Sequence, residues 1–488
     1  MPDFLAFDLG AESGRAMLGR VSPDALVLEE LHRFANEPVR LPTGLYWDTL
    51  RLFHEIVRGL EIAGRERRVK PAGIGIDTWG VDFGLLGRDG ALTDNPRHYR
   101  DARTSQVPER AYAAVGRERI FAETGLQFMN LNSLYQLYAA KLAGSPGLEA
   151  AARLLFMPDL FNYWLTGIAK NELTIASTSQ FYNPAKKRWA TELLEALGLP
   201  TGILGEIVQP GTRLGGLLPH LAEATGLGAA PVYATCGHDT AAAVAAVPAE
   251  GGDNWCYISS GTWSLMGVEL AEPLINECVL AANFTNEVGA GGRIRFLKNI
   301  AGLWLLQECR RAWAAAGREY SYAEIAEMAA EAPAFQAVIH PDAFSEPGSM
   351  PAQIAEWCHA TGQGAPEQPA GMARAILEGL ALRYRQVLEG MESVTGRRLE
   401  VIHIVGGGSK NRVLNQFVAD ATGRKVVAGP AEATAAGNVL VQAVGAGVLG
   451  GIEQARELVR RSFELETYEP KRVAGWDAAY QAFSGLRP

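Results

Sequence analysis

Two stretches far apart in this chain follow one plan. Phe4-Leu5-Ala6-Phe7 is an apolar run ending in Asp8, Leu9-Gly10-Ala11-Glu12-Ser13-Gly14-Arg15 follows, and Ala16-Met17-Leu18-Gly19 is apolar again. Trp255-Cys256-Tyr257-Ile258-Ser259, then Ser260-Gly261-Thr262, then Trp263-Ser264-Leu265-Met266-Gly267-Val268 repeat the pattern. Short apolar runs around a small-residue turn predict β-hairpins, and Ala25 to Leu31 offers a third strand to the first of them. At 488 residues the chain exceeds one compact core, so two domains are expected, each opening on such a hairpin. The turn cluster Pro248-Ala249-Glu250-Gly251-Gly252-Asp253 marks the boundary, which gives domains 1–247 and 248–488. Gly10 and Gly14 let successive backbone N–H groups point at one anion; an ordinary tight hairpin without a ligand is the other reading. Asp8, at the strand end, is placed to hold a metal ion through water.

A carboxylate stands out between the two hairpins. In Thr235-Cys236-Gly237-His238-Asp239-Thr240 an apolar lead-in, Pro231 to Ala234, meets an alanine-rich helix former, Ala241 to Ala246. Asp239 therefore belongs where a buried strand hands over to a helix. There it is either a plain N-cap or a rigidly held proton acceptor at a cleft, near the positive end of the helix dipole.

Other stretches bear on that choice. Leu50 to Ala63 has helical spacing, and Gly73-Ile74-Gly75-Ile76-Asp77 predicts a buried strand running into Thr78-Trp79-Gly80-Val81-Asp82-Phe83. Acceptors and donors beside an aromatic face suit a sugar; a core Trp with Asp82 paired to a downstream arginine is the alternative. His98 to Thr104 reads as a solvated polar loop, with a ligand-facing cluster as the alternative, Thr174 to Gln180 as a hydroxyl-rich wall, and Met157 to Gly167 as a short aromatic helix. Phe296 to Gln307 is expected to enter a long helix, interrupted by polar Asn299 and Gln307, and Met372 to Met391 to form another. Strand Val401 to Val405 leads through Gly406-Gly407-Gly408 into the helix Val413 to Ala421; three consecutive glycines permit close backbone approach to a flat ligand such as adenine or ribose.

Composition narrows the partners. A net charge of −9 leaves no basic excess for nucleic acid. Five cysteines without a C-x-x-C pair suggest neither zinc nor disulfides and fit a reducing compartment. The N-terminus lacks a basic leader, and no apolar stretch reaches the ~18 residues of a membrane span, so a cytoplasmic protein is expected. No G-x-x-x-x-G-K-[ST] loop occurs and Gly10 to Gly14 is no G-x-G-x-x-G fingerprint, which disfavours Walker-type and dinucleotide-binding readings.

These residues together resemble the FGGY carbohydrate kinases of the actin-like ATPase superfamily. Phe7 to Arg15 resembles that family's first phosphate loop, Gly75 to Phe83 its sugar strand, His238-Asp239-Thr240 its catalytic segment, Ser259 to Gly267 its second phosphate loop and Val405 to Gly408 its adenosine loop. The likeness runs in the family's order from about residue 4 to residue 470. It implies an α/β fold of two ribonuclease H-like domains with a cleft between them. It further implies a sugar site of Gly80, His238, Asp239, Thr240 and Asn299, with Asp239 as general base. ATP would meet Ala11, Glu12, Ser13, Gly14, Arg15, Thr262, Gln307 and Gly407, with Mg2+ near Asp8. Glu12 departs from the family, which more often has a small hydroxyl residue there. The Asp-Thr-Trp-Gly-Val-Asp-Phe and Ser-Ser-Gly-Thr-Trp-Ser-Leu-Met-Gly strings resemble the branch that phosphorylates L-rhamnulose at its C1 hydroxyl. Another ketose such as L-fuculose or L-xylulose, or a polyol, is the alternative substrate, and a non-catalytic sugar-sensing regulator the remoter one. The partners implied are the sugar and ATP, with a monomer or homodimer as the assembly.

Overall fold

The computed structural model describes residues 1–344, 348–471 and 473–487. The chain forms two compact units. The first comprises Met1–Ala246, Glu269–Phe296 and Ala433–Ser462, the second Val247–Val268, Leu297–Glu432 and Phe463–Pro488. The first break falls beside the turn cluster at Pro248–Asp253, and the chain returns to the first unit twice.

The first unit is built on six strands: β1 (Asp3–Leu9), β2 (Ser13–Val21), β3 (Leu26–Ala35), β4 (Gly73–Thr78), β5 (Thr212–Gly216) and β6 (Pro231–Ala234). Their order is β3-β2-β1-β4-β6-β5. β1 pairs antiparallel with β2 and parallel with β4, β4 pairs parallel with β6, and β5 closes the edge antiparallel. Every residue of β4 is buried, as expected of a parallel strand covered on both faces. Helix Thr49–Glu61, capped by the Asp48 side chain on the Arg51 N–H, buries Leu52, Ile56 and Leu60 beneath the sheet.

The second unit uses β7 (Trp255–Ser260), β8 (Trp263–Leu270), β9 (Ile294–Ala301), β10 (Val401–Val405), β11 (Lys425–Ala428) and β12 (Glu466–Tyr468). With the strand Thr285–Val288 outside β9 the sheet has seven strands, and the order β9-β8-β7-β10-β11-β12 of the other six matches that of the first unit. β7 is antiparallel to β8 and parallel to β10, β10 is parallel to β11, and β12 closes the edge antiparallel. The repeated hairpin in the sequence thus opens two copies of one ribonuclease H-like plan.

Three local expectations change. Residues 294–301 are a strand, and the helix starts only at Trp304. Gly302 separates the two because a Cβ there would lie 2.5 Å from the Trp263 carbonyl carbon. An apolar run of this length does not distinguish strand from helix. The expected helix from Met372 extends over Pro369–Thr395, with Pro at its start and left-handed Gly396 after its end. The expected solvated loop at His98–Thr104 is instead packed: His98 stacks on Trp47 at 4.1 Å between ring centres, and His98, Asp101 and Thr104 are buried. Among the described residues no helix is long and apolar enough to cross a membrane.

Candidate active site

In the first unit the C-terminal ends of β1, β4 and β6 converge, the edge at which open α/β sheets place their ligands. The Trp79 N–H donates to the Leu9 carbonyl and the Thr78 N–H to the Gly237 carbonyl, so these ends are tied together. Parallel register sets Asp8 opposite Asp77. The His238–Asp239 segment follows β6 and enters a helix, Asp239–Ala245, of which Asp239 is the first residue. Gly437, on helix Ala433–Gly445, lets that helix press on Asp239–Ala245: a Cβ at 437 would lie 1.7 Å from the Ala242 carbonyl oxygen.

Asp239 is not the N-cap of its helix; His238 holds that position, without a side-chain cap bond. Asp239 Oδ1 accepts from the Thr240 N–H at 2.5 Å and the Thr240 hydroxyl at 3.2 Å, and lies 3.3 Å from His238 Nε2. Oδ2 has no partner among the described residues, and the side chain is 29% exposed. Burial raises its carboxyl above the ordinary 3.8; His238 opposes this and the charge of Asp8 adds to it. An acceptor with a free oxygen and a raised pKa is suited to taking a proton near neutral pH.

His238 is fixed from behind. Its Nδ1 lies 3.1 Å from the Arg295 guanidinium and 3.5 Å from Glu287, and Arg295 and Glu287 pair at 3.0 Å with Arg295 wholly buried. Burial alone would raise the Glu287 carboxyl, but Arg295 and His238 outweigh it and hold it below the ordinary range. Gly80 faces the imidazole: a Cβ there would sit 3.3 Å from His238 Nε2. Val81, next in the chain, adopts φ 67°, a left-handed conformation that a β-branched residue occupies only under strain.

Among the described residues Asp82 makes no ion pair with an arginine. It is fully buried and accepts from Trp47 Nε1 at 2.6 Å, Trp79 Nε1 at 3.0 Å, Gln136 Nε2 at 2.7 Å and the Tyr99 N–H at 3.2 Å. Burial still pushes its carboxyl up to about 6 against those four donors. The sugar-strand string is therefore a carboxylate locking two indoles.

The first hairpin turn is closed by Gly10 N–H on Ser13 carbonyl and by Asn36, whose amide side chain donates to the Gly10 carbonyl. Neither Gly10 nor Gly14 needs a positive φ. Gly14 is glycine because a Cβ would lie 2.3 Å from the Phe34 ring. Glu12 is exposed, and Arg15 pairs with Asp8 at 2.5 Å. Asp77 accepts from Asn438 at 2.6 Å on one oxygen, while its other, buried oxygen has no partner among the described residues. Burial, then Asp8, then Asp239 raise its carboxyl well above the ordinary value.

These three carboxylates are the donors on offer for a hard cation. Among the described residues no group of three or more His, Cys, Asp or Glu is arranged as a metal site. Mg2+ is usually carried by phosphate oxygens and waters and met by one or two carboxylates, and Asp8 with the free oxygen of Asp77 fits that use.

In the second unit Thr262 and Gly407 lie in turns at strand ends. The Leu303 and Trp304 N–H groups donate to the Gly261 and Thr262 carbonyls, which joins the hairpin turn to helix Trp304–Ala315 carrying Gln307. Gln307 Oε1 is buried without a partner among the described residues. Of the three glycines, Gly406 is required by φ 84° and Gly408 by Ser260, whose Oγ a Cβ would meet at 2.0 Å. Gly407 has nothing within 4 Å of its Cβ position and is exposed. Asn299 lies partly exposed on β9.

The sequence reading missed Trp47, Glu172, Glu287, Arg295 and Asn438. No local motif marks them; they reach the site only through the fold.

Comparison with known proteins agrees with this geometry. The sequence model for the N-terminal domain of the FGGY family of carbohydrate kinases matches residues 4–246, and that for its C-terminal domain matches residues 256–446. A rhamnulokinase of Bacteroides thetaiotaomicron is 47% identical over 483 residues, 99% of this chain and 98% of that protein. A rhamnulokinase of Enterococcus faecalis is 40% identical over 486 residues, covering 98% and 97%. The fold resembles a ligand-bound xylulose kinase from Lactobacillus acidophilus, with TM-score 0.80 at 16% identity over 99% of this chain and 96% of that one. A xylulose kinase from Rhodospirillum rubrum gives 0.79 at 20% identity, covering 99% and 97%. With both domain models matched in order, the chain belongs to the FGGY family of carbohydrate kinases.

Proposed function

We propose that this protein transfers the terminal phosphoryl group of ATP to the C1 hydroxyl of L-rhamnulose, giving L-rhamnulose 1-phosphate and ADP, with Asp239 as general base. The observation that carries the base assignment is the Asp239 side chain itself. It is part-exposed, has one oxygen without a partner, and its carboxyl is raised by burial and by Asp8. The sugar assignment rests on relatives named rhamnulokinase at 38–47% identity over nearly the whole chain.

Phosphoryl transfer depends mainly on positioning and charge neutralisation. Gly80, His238, Thr240 and Asn299 hold the sugar so that its primary hydroxyl faces Asp239 Oδ2. Asp239 accepts the hydroxyl proton as the O–P bond forms, a contribution of about 10²- to 10⁴-fold. The Ala11 to Arg15 turn, Thr262, Gln307 and Gly407 hold ATP, the turn through its backbone N–H groups. Asp8 would help hold Mg2+, which when bound would offset charge on the transferred group. The enzyme acts in the cytoplasm on these small molecules, as a monomer or homodimer.

Asp239→Asn is expected to retain ATP and sugar binding by calorimetry and to lose about 10²- to 10⁴-fold in turnover. Near wild-type turnover would remove Asp239 from the mechanism. Identification of the phosphorylated carbon by NMR, after assay of a ketose panel for ADP release, tests the substrate. Equal or faster turnover of L-fuculose or L-xylulose would overturn the L-rhamnulose assignment.

A further inference from the structure

His238 forms an isolated parallel bridge with Thr78 and caps the next helix, but the N–H groups of Gly237 and His238 donate to side chains. These side chains form a relay. Glu172 is almost fully buried. Its Oε1 accepts from the Thr174 N–H at 2.8 Å. Its Oε2 accepts from the Thr174 hydroxyl at 2.6 Å, the Ile175 N–H at 3.1 Å and the Gly237 N–H at 2.9 Å. The Thr174 hydroxyl, committed as donor to Glu172, accepts in turn from the His238 N–H at 3.3 Å. Behind it, Asp159 on helix Met157–Thr166 accepts from the Glu172 N–H at 3.1 Å. The close approach leaves little room for a side chain at Gly237: a Cβ would lie 3.0 Å from Glu172 Oε2 and 3.0 Å from Pro158.

We infer that Glu172, acting through Thr174, is the positioning residue that sets the angle at which the His238–Asp239 segment presents its carboxylate, an inference that rests on Asp239 being the base. The geometry is specific. Two consecutive peptide N–H groups, those of Gly237 and His238, are bound by one carboxylate and by the hydroxyl that it orients. The Gly237 carbonyl between them accepts from the Thr78 N–H on the sugar strand at 2.9 Å. The segment is therefore held on both sides of one peptide, and Asp239 is only two residues further on. Neither Glu172 nor Thr174 touches the reacting atoms. Their effect is on where Asp239 stands, and a misplacement of about 1 Å at a reacting group can cost about 10²-fold in turnover.

Thr174→Val removes the hydroxyl while keeping the branched shape, Thr174→Ser restores the hydroxyl, and Glu172→Gln replaces the carboxylate at constant size. The full-length variants are assayed for kcat and for the KM of sugar and ATP below their unfolding midpoints, which thermal denaturation measures. Thr174→Val and Glu172→Gln are expected to lose about 10- to 100-fold in kcat with KM for ATP unchanged, and Thr174→Ser to recover most of it. A Thr174→Val protein that is less stable but turns over like wild type, while Asp239→Asn is inactive, would reduce the relay to a brace and overturn the inference alone. Equal slowing in Thr174→Val and Thr174→Ser would also overturn it, since the hydroxyl would then not be the cause. An active Asp239→Asn overturns the base assignment, and the relay with it.

Discussion

Gly407→Ala separates a ligand role from a structural one. An Ala Cβ at 407 meets no atom within 4 Å, and the backbone there is not left-handed. The folded protein alone therefore has no reason to resist the methyl group. Replacing Gly at a compatible site even stabilises by about 0.4–1 kcal/mol, through the unfolded chain. If the adenosine half of ATP lies against this backbone, the methyl intrudes on a close contact. Overpacking of that kind costs about 1–3 kcal/mol, which is roughly a five- to 150-fold rise in KM for ATP at 1.4 kcal/mol per tenfold. Flanking glycines serve as contrasts. Gly406→Ala is strained by φ 84°, and Gly408→Ala collides with Ser260 Oγ at 2.0 Å, so both lower stability with or without nucleotide. The assay pairs thermal denaturation of the free protein with KM for ATP at saturating sugar. A Gly407→Ala protein with unchanged stability and unchanged KM for ATP would refute the assignment of this loop to the nucleotide.

Further consequences follow from the first unit. Gly80→Ala places a methyl 3.3 Å from His238 Nε2, an imidazole that Arg295 and Glu287 keep from retreating. Its KM for sugar is expected to rise about tenfold or more with KM for ATP unchanged, and steady-state kinetics checks this. Because burial and Asp8 raise the Asp239 carboxyl, activity should fall on the acid side with a midpoint above 3.8. Asp8→Asn should move that limb of residual kcat/KM to lower pH, and an upward shift would contradict the coupling. Asp82 carries a folded pKa of about 6 against an ordinary 3.8. The folded chain thus holds a proton that the unfolded chain has lost, and the stability it contributes is full below 3.8 and lost as pH rises through about 6. That difference is worth about 3 kcal/mol. Asp82→Asn should flatten the pH dependence of urea unfolding between those values, and an unchanged slope would show that Asp82 does not titrate there.

What the sequence made legible were features set by local physics. The two hairpins, the largely apolar β4 and β10, and the acid at the β6-to-helix step each follow from periodicity or turn composition within a dozen residues. Glycine was legible as a marker but not as a cause: Gly14 makes room for Phe34, and Gly437 makes room for Ala242. Partnerships across long stretches of chain had no local signal. Asn438 reaches Asp77 from 361 residues away, Gly237 meets Glu172 across 65, and Arg295 meets His238 across 57. For the same reason no turn or composition signal shows that 269–296 and 433–462 return to the first unit. At Asp82, four donors from four separate segments replaced the expected arginine, since a buried carboxylate is satisfied by whichever N–H groups the fold brings to it.

The charge arrangement at the strand ends gives these pieces one physical sense. Asp8 and Asp77 stand side by side in register, and Asp239 feels both the charge of Asp8 and its own burial. Arg15 offsets Asp8 and Asn438 satisfies one oxygen of Asp77, but the Asp77 acceptor left over and the free Asp239 oxygen keep the local field negative. Such a field works against a bare polyphosphate and favours a positive charge, whether a proton on Asp239 or a cation carried by the phosphates. The same field that keeps Asp239 basic enough to take a hydroxyl proton therefore favours a nucleotide that arrives with its charge already partly neutralised. Loss of the Asp8 carboxylate would weaken both at once, because one group supplies the repulsion that tunes the base and the oxygen that meets the cation.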